Sequence, residues 1–216
     1  MKNIAIIGAG GFGKEVKMLI DHINVESNEY NFIGYYDDGI RPLTMVNGFP
    51  VLGSIKDLNL TKEKIWVVAA IGLPSLKKRL LSKLDNPLIV YPTLVHPAAI
   101  VGSDDVSIGE GSIVCAGTFI TVNIQIGKHV VLNLGCTVGH DSVIQDYCSF
   151  MPSVNISGEV DISDCVYVGT GAKIINQLEI GSGTIIGAGA VVSKSLPANC
   201  TAVGIPAKPI KYHEAI

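Results

Sequence analysis

A histidine with a carboxylate directly after it stands in Gly139-His140-Asp141. An imidazole takes up a proton near neutral pH, and an adjacent carboxylate raises its basicity, so the pair suits a general base acting on an attacking amine or hydroxyl. Neighbouring side chains on a strand point to opposite faces, so His140 and Asp141 can meet only where a turn bends the backbone. Glu159, eighteen residues beyond Asp141, is a second carboxylate able to orient the ring. The alternative is a surface histidine with no role. His22, His96, His129 and His213 have weaker claims, and no cluster of further ligands accompanies them, so no metal site is expected.

A second group is Gly8-Ala9-Gly10-Gly11-Phe12-Gly13, which follows an apolar strand and opens a helical pattern. Backbone amides at a helix N-terminus can meet a phosphate, although glycines in this pattern can also form nothing more than a tight turn. Asp37 and Asp38 close the next strand, where an acidic residue suits a ribose hydroxyl. This half of the chain is too short for a full dinucleotide fold, which argues against NAD. A third group is Gly169-Thr170 and Gly187-Ala188, eighteen residues apart; missing side chains at the two leading glycines would leave a shallow groove.

The elements that must hold these groups follow from periodicity. From Ile108 to Val192 every sixth residue is apolar, through Val114, Ile120, Ile126, Leu132, Val138, Ile144, Phe150, Ile156, Ile162, Val168, Ile174, Ile180 and Ile186. Two places earlier in each hexad stands a small or β-branched residue, with Ile124 and Leu178 as larger exceptions. Neither an amphipathic helix nor a meander demands one apolar residue at fixed phase for so long; a solenoid does. One hexad per side of a triangular coil places residues eighteen apart above one another, in about five coils at the ~4.8 Å strand spacing.

The first ninety or so residues read differently. Lys2 to Ile7, Phe32 to Tyr36 and Ile65 to Ala70 are expected strands, with helices striped by Val16, Leu19, Ile20 and Ile23 and by Leu76, Leu80, Leu81 and Leu84. The alternation implies a small Rossmann-like α/β domain over residues 1–90, then the β-helix over residues 91–216, with the proline-rich stretch 86–97 as junction. Of the 216 residues 48% are hydrophobic and 16% charged, yet no run approaches the roughly 18 apolar residues of a membrane span. No membrane insertion is expected. The net charge of −3, without a basic face, argues against nucleic acid as a partner. The opening Met1-Lys2-Asn3 and the apolar run to Ile7 do not make a signal peptide, which predicts a cytoplasmic protein. Cys115, Cys136, Cys148, Cys165 and Cys200 form no CxxC pair and are expected as buried free thiols.

The hexads resemble those of the hexapeptide acyltransferases, and the two halves together resemble the bacterial sugar O-acyltransferases of the sialic acid O-acetyltransferase type, which include enzymes forming UDP-N-acetylbacillosamine and GDP-N-acetylperosamine. The resemblance rests on Gly8 to Gly13, Tyr36-Asp37-Asp38, Val67 to Gly72, Val95-His96-Pro97, Asn133, His140-Asp141 and the ending Val203-Gly204-Ile205-Pro206-Ala207-Lys208. It implies a left-handed β-helix, acetyl-coenzyme A as co-substrate, a nucleotide-linked amino sugar as acceptor, and a homotrimer with its sites between subunits. By residue it implies His140 as base with Asp141; Asn133, Ser149, Thr170, Ala188 and Lys208 at the coenzyme; and Gly10, Gly11, Phe12, Asp37, Asp38 and Gly53 around the nucleotide. Ser149 and Phe12 stand where many relatives carry histidine. O-acetylation of a sugar hydroxyl and a non-catalytic nucleotide-sugar scaffold are the alternatives.

Overall fold

The computed structural model describes residues 1–214. Lys2–Ile7 is β1, and Tyr30–Tyr36, Met45–Val46, Phe49–Gly53, Ile65–Ala69 and Ile89–Val90 are β2 to β6. Helices α1 (Gly11–Ser27), α2 (Ile55–Asn59) and α3 (Pro74–Leu81) lie between them. The sheet order is β3-β4-β2-β1-β5-β6, parallel except for the β3–β4 hairpin. α1 forms because Val16, Leu19 and Ile20 recur at helical spacing, and these are residues that it buries. It ends at Asn28, whose φ of 47° turns its N–H onto the Asn24 carbonyl at 3.0 Å. Gly13 lets α1 approach the turn after β1, since a β-carbon there would run into the Gly8 carbonyl oxygen. β3, β4, β6 and α2 were not expected, because pieces of two to five residues are too short for a period to register.

The order of the sheet reverses between β1 and β5, and open parallel sheets bind ligands in the crevice at the carboxyl ends of such strands. That crevice is where Gly8, Asp37 and Ile71 emerge.

Beyond Val90 the chain winds into a triangular prism. The first face stacks Leu94–Val95, Ile113–Val114, Val131–Leu132, Ser149–Phe150, Tyr167–Val168 and Ile185–Ile186; the second stacks Ile100–Val101, Phe119–Ile120, Thr137–Val138, Asn155–Ile156, Lys173–Ile174 and Val191–Val192. The third runs from Val106–Ile108 to Glu179–Ile180. Register follows the eighteen-residue rule, with Leu132 paired to Phe150, Val138 to Ile156 and Ile144 to Ile162. The hexad aliphatics fill the interior, Phe150 being fully buried at the centre.

The prism begins two sides before the hexads, with Leu94–Val95 and Ile100–Val101. Ile120 pairs with Val101, nineteen residues back, because an extra residue enters the Gly102–Asp105 turn, where Asp105 is left-handed with φ 49°. That slip hides the first two sides from the six-residue rule. At the other end the spacing shortens, Ile186 pairing with Ala202, and the antiparallel hairpin Cys200–Gly204 and Ala207–Tyr212 closes the first face.

The α/β domain lies on the first face. Leu94, Ile113 and Val131 point outward there, yet they are buried in one core with Val16, Leu19 and Tyr35. Each such side chain contributes about 2 kcal/mol by leaving water, which fixes the domain on the prism. Among the described residues no helix is long and apolar enough to cross a membrane. All five cysteines are free and buried.

Candidate active site

His140 and Asp141 occupy the corner between the second and third faces. Asp141 takes a left-handed φ of 57°, the bend that adjacent side chains need to converge, and His140 Nδ1 lies 2.7 Å from Asp141 Oδ2. Asn123 Nδ2, one coil below, donates to Asp141 Oδ1 at 2.9 Å. These bonds, first from Asn123 and then from His140, hold the Asp141 carboxyl below the usual carboxylate range. An ionised Asp141 can only accept, so Nδ1 carries the ring proton and Nε2 keeps its lone pair. The exposed ring lies over Gly158, one coil above, where a β-carbon would press on Nε2 and Cε1. Glu159 is occupied by Gln177 Nε2 at 3.2 Å, so of the two candidate carboxylates the ring belongs to Asp141.

Asn133, Thr170 and Ala188 share the next corner, between the first and second faces. The Gly189 N–H donates to the Thr170 carbonyl at 2.8 Å, which stacks the two turns directly. The glycines of this corner divide by what a side chain would meet there. A β-carbon on Gly169 would collide with the Ala188 backbone, and one on Gly187 with Val203, so those glycines permit close stacking. Gly171 and Gly189, left-handed at φ 71° and 67°, face open space beside Thr170 and Ala188. Lys208 reaches this end because Ala202 pairs with Ile186 and Val203 with Lys208. Asn133 is buried, its Oδ1 accepting the Leu134 N–H at 2.7 Å.

Ser149 lies elsewhere. It points outward from the first face and is fully buried under α3, its hydroxyl taken by Lys77 Nζ at 3.0 Å, so it offers no surface to a coenzyme.

The crevice of the α/β domain holds a cavity of about 390 Å³ lined by Gly8, Asp37, Asp38, Ile71, Arg79 and Lys83, among others. Asp37 is largely structural: Oδ2 accepts the Ala9 N–H at 2.9 Å and Oδ1 the Gly39 N–H at 2.8 Å. Asp38 Oδ1 accepts the Ile55 N–H at 2.8 Å, at the start of α2. Gly10 and Gly11 are exposed at the start of α1, Phe12 packs into the α1 core, and Gly53 is buried against Asp57; none of these four lines the cavity.

Comparison with known proteins fits this geometry. Residues 3–84 match the PglD N-terminal domain model. Over 98% of its length the chain is 34% identical to a GDP-perosamine N-acetyltransferase of Escherichia coli O157:H7, covering 97% of that protein. The chain belongs to the sugar acyltransferase family of hexapeptide-repeat acetyltransferases. Among solved structures, WeeI from Acinetobacter baumannii AYE is 38% identical with a TM-score of 0.88, covering 97% of this chain and 100% of its own. The acetyltransferase domain of PglB from Neisseria gonorrhoeae FA1090, solved with acetyl coenzyme A, is 33% identical with a TM-score of 0.86 over 97% and 99%. The left-handed parallel β-helix of the family is therefore the architecture here.

For a member of this family one feature of the single chain is decisive. In a triangle the first face lies opposite the corner between the second and third, so the α/β domain and His140 sit on opposite flanks of one prism. Sequence reasoning also missed residues that the eighteen-residue rule could have found: Asn123 lies eighteen before Asp141, and Gly158 eighteen after His140. Arg79 and Lys83 carried no such signal, because their place depends on how α3 packs.

Proposed function

We propose that this chain transfers acetyl from acetyl-coenzyme A to the amino group of a nucleotide-linked amino sugar, with His140 as general base. The observation that carries the assignment of the base is the chain Asn123, Asp141, His140, which leaves Nε2 as an oriented, exposed proton acceptor. Acetyl-coenzyme A supplies the activated acetyl group. Nε2 accepts the proton that the amine loses as the new C–N bond forms, and the resulting imidazolium is the acid at hand for the departing thiolate. Asp141 stabilises that imidazolium. Thr170, Ala188, Lys208 and the open glycines suit the coenzyme, with Asn133 below them on the same corner. Asp37, Asp38, Arg79 and Lys83 suit the nucleotide.

The working form in this reading is a homotrimer. A side of the prism spans about 20 Å at the usual strand rise, so a base on one corner and a nucleotide held across the opposite face meet only if a neighbouring copy supplies one of them. Ile100, Phe119 and Val122, exposed on the second face and its corner, give a neighbour an apolar surface to cover. Five buried free thiols suit the cytoplasm, and the product would serve surface polysaccharide or glycan assembly.

Thiol release from acetyl-coenzyme A, measured with nucleotide sugars that carry or lack a free amino group, tests the reaction. Release confined to the amino sugars is expected; release with hydroxyl-only sugars alone would overturn it. Mass in solution tests the assembly, and a fully active monomer would remove the shared site.

A further inference from the structure

α3 has two faces with different neighbours. Leu76, Arg79 and Leu80, followed by Lys83, line the nucleotide cavity. Lys77 faces the prism and is fully buried, its Nζ donating to Ser149 Oγ at 3.0 Å and to the Cys148 carbonyl at 3.3 Å. A lysine with no exposed surface is rare unless it is paired with an acid.

Among the described residues no acid pairs with it. On its own helix Lys78 is bound to Asp164 at 3.1 Å, and Arg79 points to the cavity. From the prism Cys148, Cys165 and His129 act on Lys77; around His129 and Lys78 stand Glu110, Lys128, Asp146, Tyr147 and Asp164, with Tyr91 from the junction. Glu110 is held by Lys128 Nζ at 2.8 Å, Asp146 by the Lys128 N–H at 2.7 Å, and Asp164 by Lys78 and Ser182. A neutral amine has two N–H groups, and the two acceptors present satisfy both. An ammonium has a third, left without a partner in a buried site. Burial accordingly pushes the Lys77 amine down to about 7.

We propose that Lys77 is a positioning residue for the nucleotide sugar: as a neutral amine it pins α3 to the prism, and on taking up a proton it loosens the helix that carries Arg79 toward the cavity. The inference rests on the nucleotide reading of that cavity. It makes nucleotide-sugar affinity fall as pH drops through neutrality, by way of a residue that touches no substrate.

The test is calorimetric binding of UDP-glucose and GDP-mannose, diphosphodiesters with no group titrating between about pH 6 and 8.5, to the full chain. Binding of the better ligand is expected to weaken roughly fivefold from pH 8.5 to 6, and coenzyme A binding to show no matching loss. Lys77→Met should remove the slope, Lys77→Gln should do the same, and His129→Phe should retain it; circular dichroism establishes that each variant is folded. A parent without the slope, or a folded Lys77→Met that keeps it, would overturn the proposal. So would a Lys77→Met that weakens binding equally at every pH, the result of a purely structural role. If instead Arg79→Ala and Asp38→Ala leave the affinity untouched, the cavity is not the nucleotide site, and the failure lies with that reading.

Discussion

In the prism, a residue's surroundings follow from its number: add or subtract eighteen and the neighbour above or below is named. Asn123 under Asp141 and Gly158 over His140 are both instances. In the α/β domain no such rule holds, and the cavity gathers Gly8, Asp37, Ile71 and Arg79 from four separate segments. A repetitive scaffold places each side chain by local register, so a catalytic pair can be held by two hydrogen bonds and a turn. A non-repetitive domain places side chains by packing, so its ligand cavity depends on many weak contacts at once. Damage to the prism site should therefore be local and large, whereas damage around the cavity should be distributed and small.

His140→Ala is the sharpest test of that contrast. It should lower kcat by roughly 10² to 10⁴, the usual contribution of a positioned acid or base, while melting temperature and coenzyme binding stay at parent values. Asp141→Asn should cost less, because it weakens the hold on the ring's orientation and tautomer without removing the ring. A loss below about tenfold for the alanine variant would take the base assignment away from His140.

The contrast also shows how far the sequence could be read. Fifteen hexads in fixed phase carry the prism, and the corner positions of His140, Thr170 and Ala188 follow from the same count. The first two sides did not follow, because one extra residue at the Gly102–Asp105 turn breaks the phase. Ser149 was misplaced for a different reason: its register on the first face was legible, but not the helix that covers that face. Arg79 and Lys77 stand two apart on one short helix, one lining the cavity and the other buried against the prism. Their sequence spacing alone does not say which faces which.

Acid should act at the seam between the two regions. His129 is buried between Tyr91 and Tyr147, and burial first, with Lys77 second, pushes its imidazole down to about 4. Between pH 6.5 and 4 the unfolded chain binds this proton and the folded one does not, so stability falls as pH falls across that window, by about 3 kcal/mol in all. Below 4 both states are protonated and the loss from this group is complete. His129→Phe keeps the ring stack and should flatten that part of the stability profile, measured by urea unfolding from pH 7 to 4. An unchanged profile would mean that other groups, such as His96, govern the acid limb.

Gly158→Ala addresses the local rule alone. The new methyl would meet the His140 ring and not backbone, so the ring moves and the fold stays. A displacement of that size should lower kcat about tenfold with little change in melting temperature. Gly169→Ala, whose methyl would meet the Ala188 backbone, should cost stability instead. Equal behaviour of the two variants would show that stacking does not control the ring.

The smallest effect belongs to the cavity. Arg79 is exposed, and its charge is shared with Lys83 one turn further on, so either residue can partly stand in for the other against an anionic ligand. An exposed ion pair contributes no more than about 1 kcal/mol, which corresponds to roughly a fivefold change in affinity. Arg79→Ala should therefore raise the KM for the nucleotide sugar by about that factor and leave kcat and the KM for acetyl-coenzyme A unchanged. Because the term is electrostatic and exposed, the difference between parent and variant should shrink as ionic strength rises from low salt toward about 0.5 M. A double variant with Lys83→Ala should lose more than the product of the single losses, since each single variant keeps a substitute cation. A salt-independent loss would point to a packing role for the Arg79 stem, and strict additivity would show that the two cations do not share one ligand.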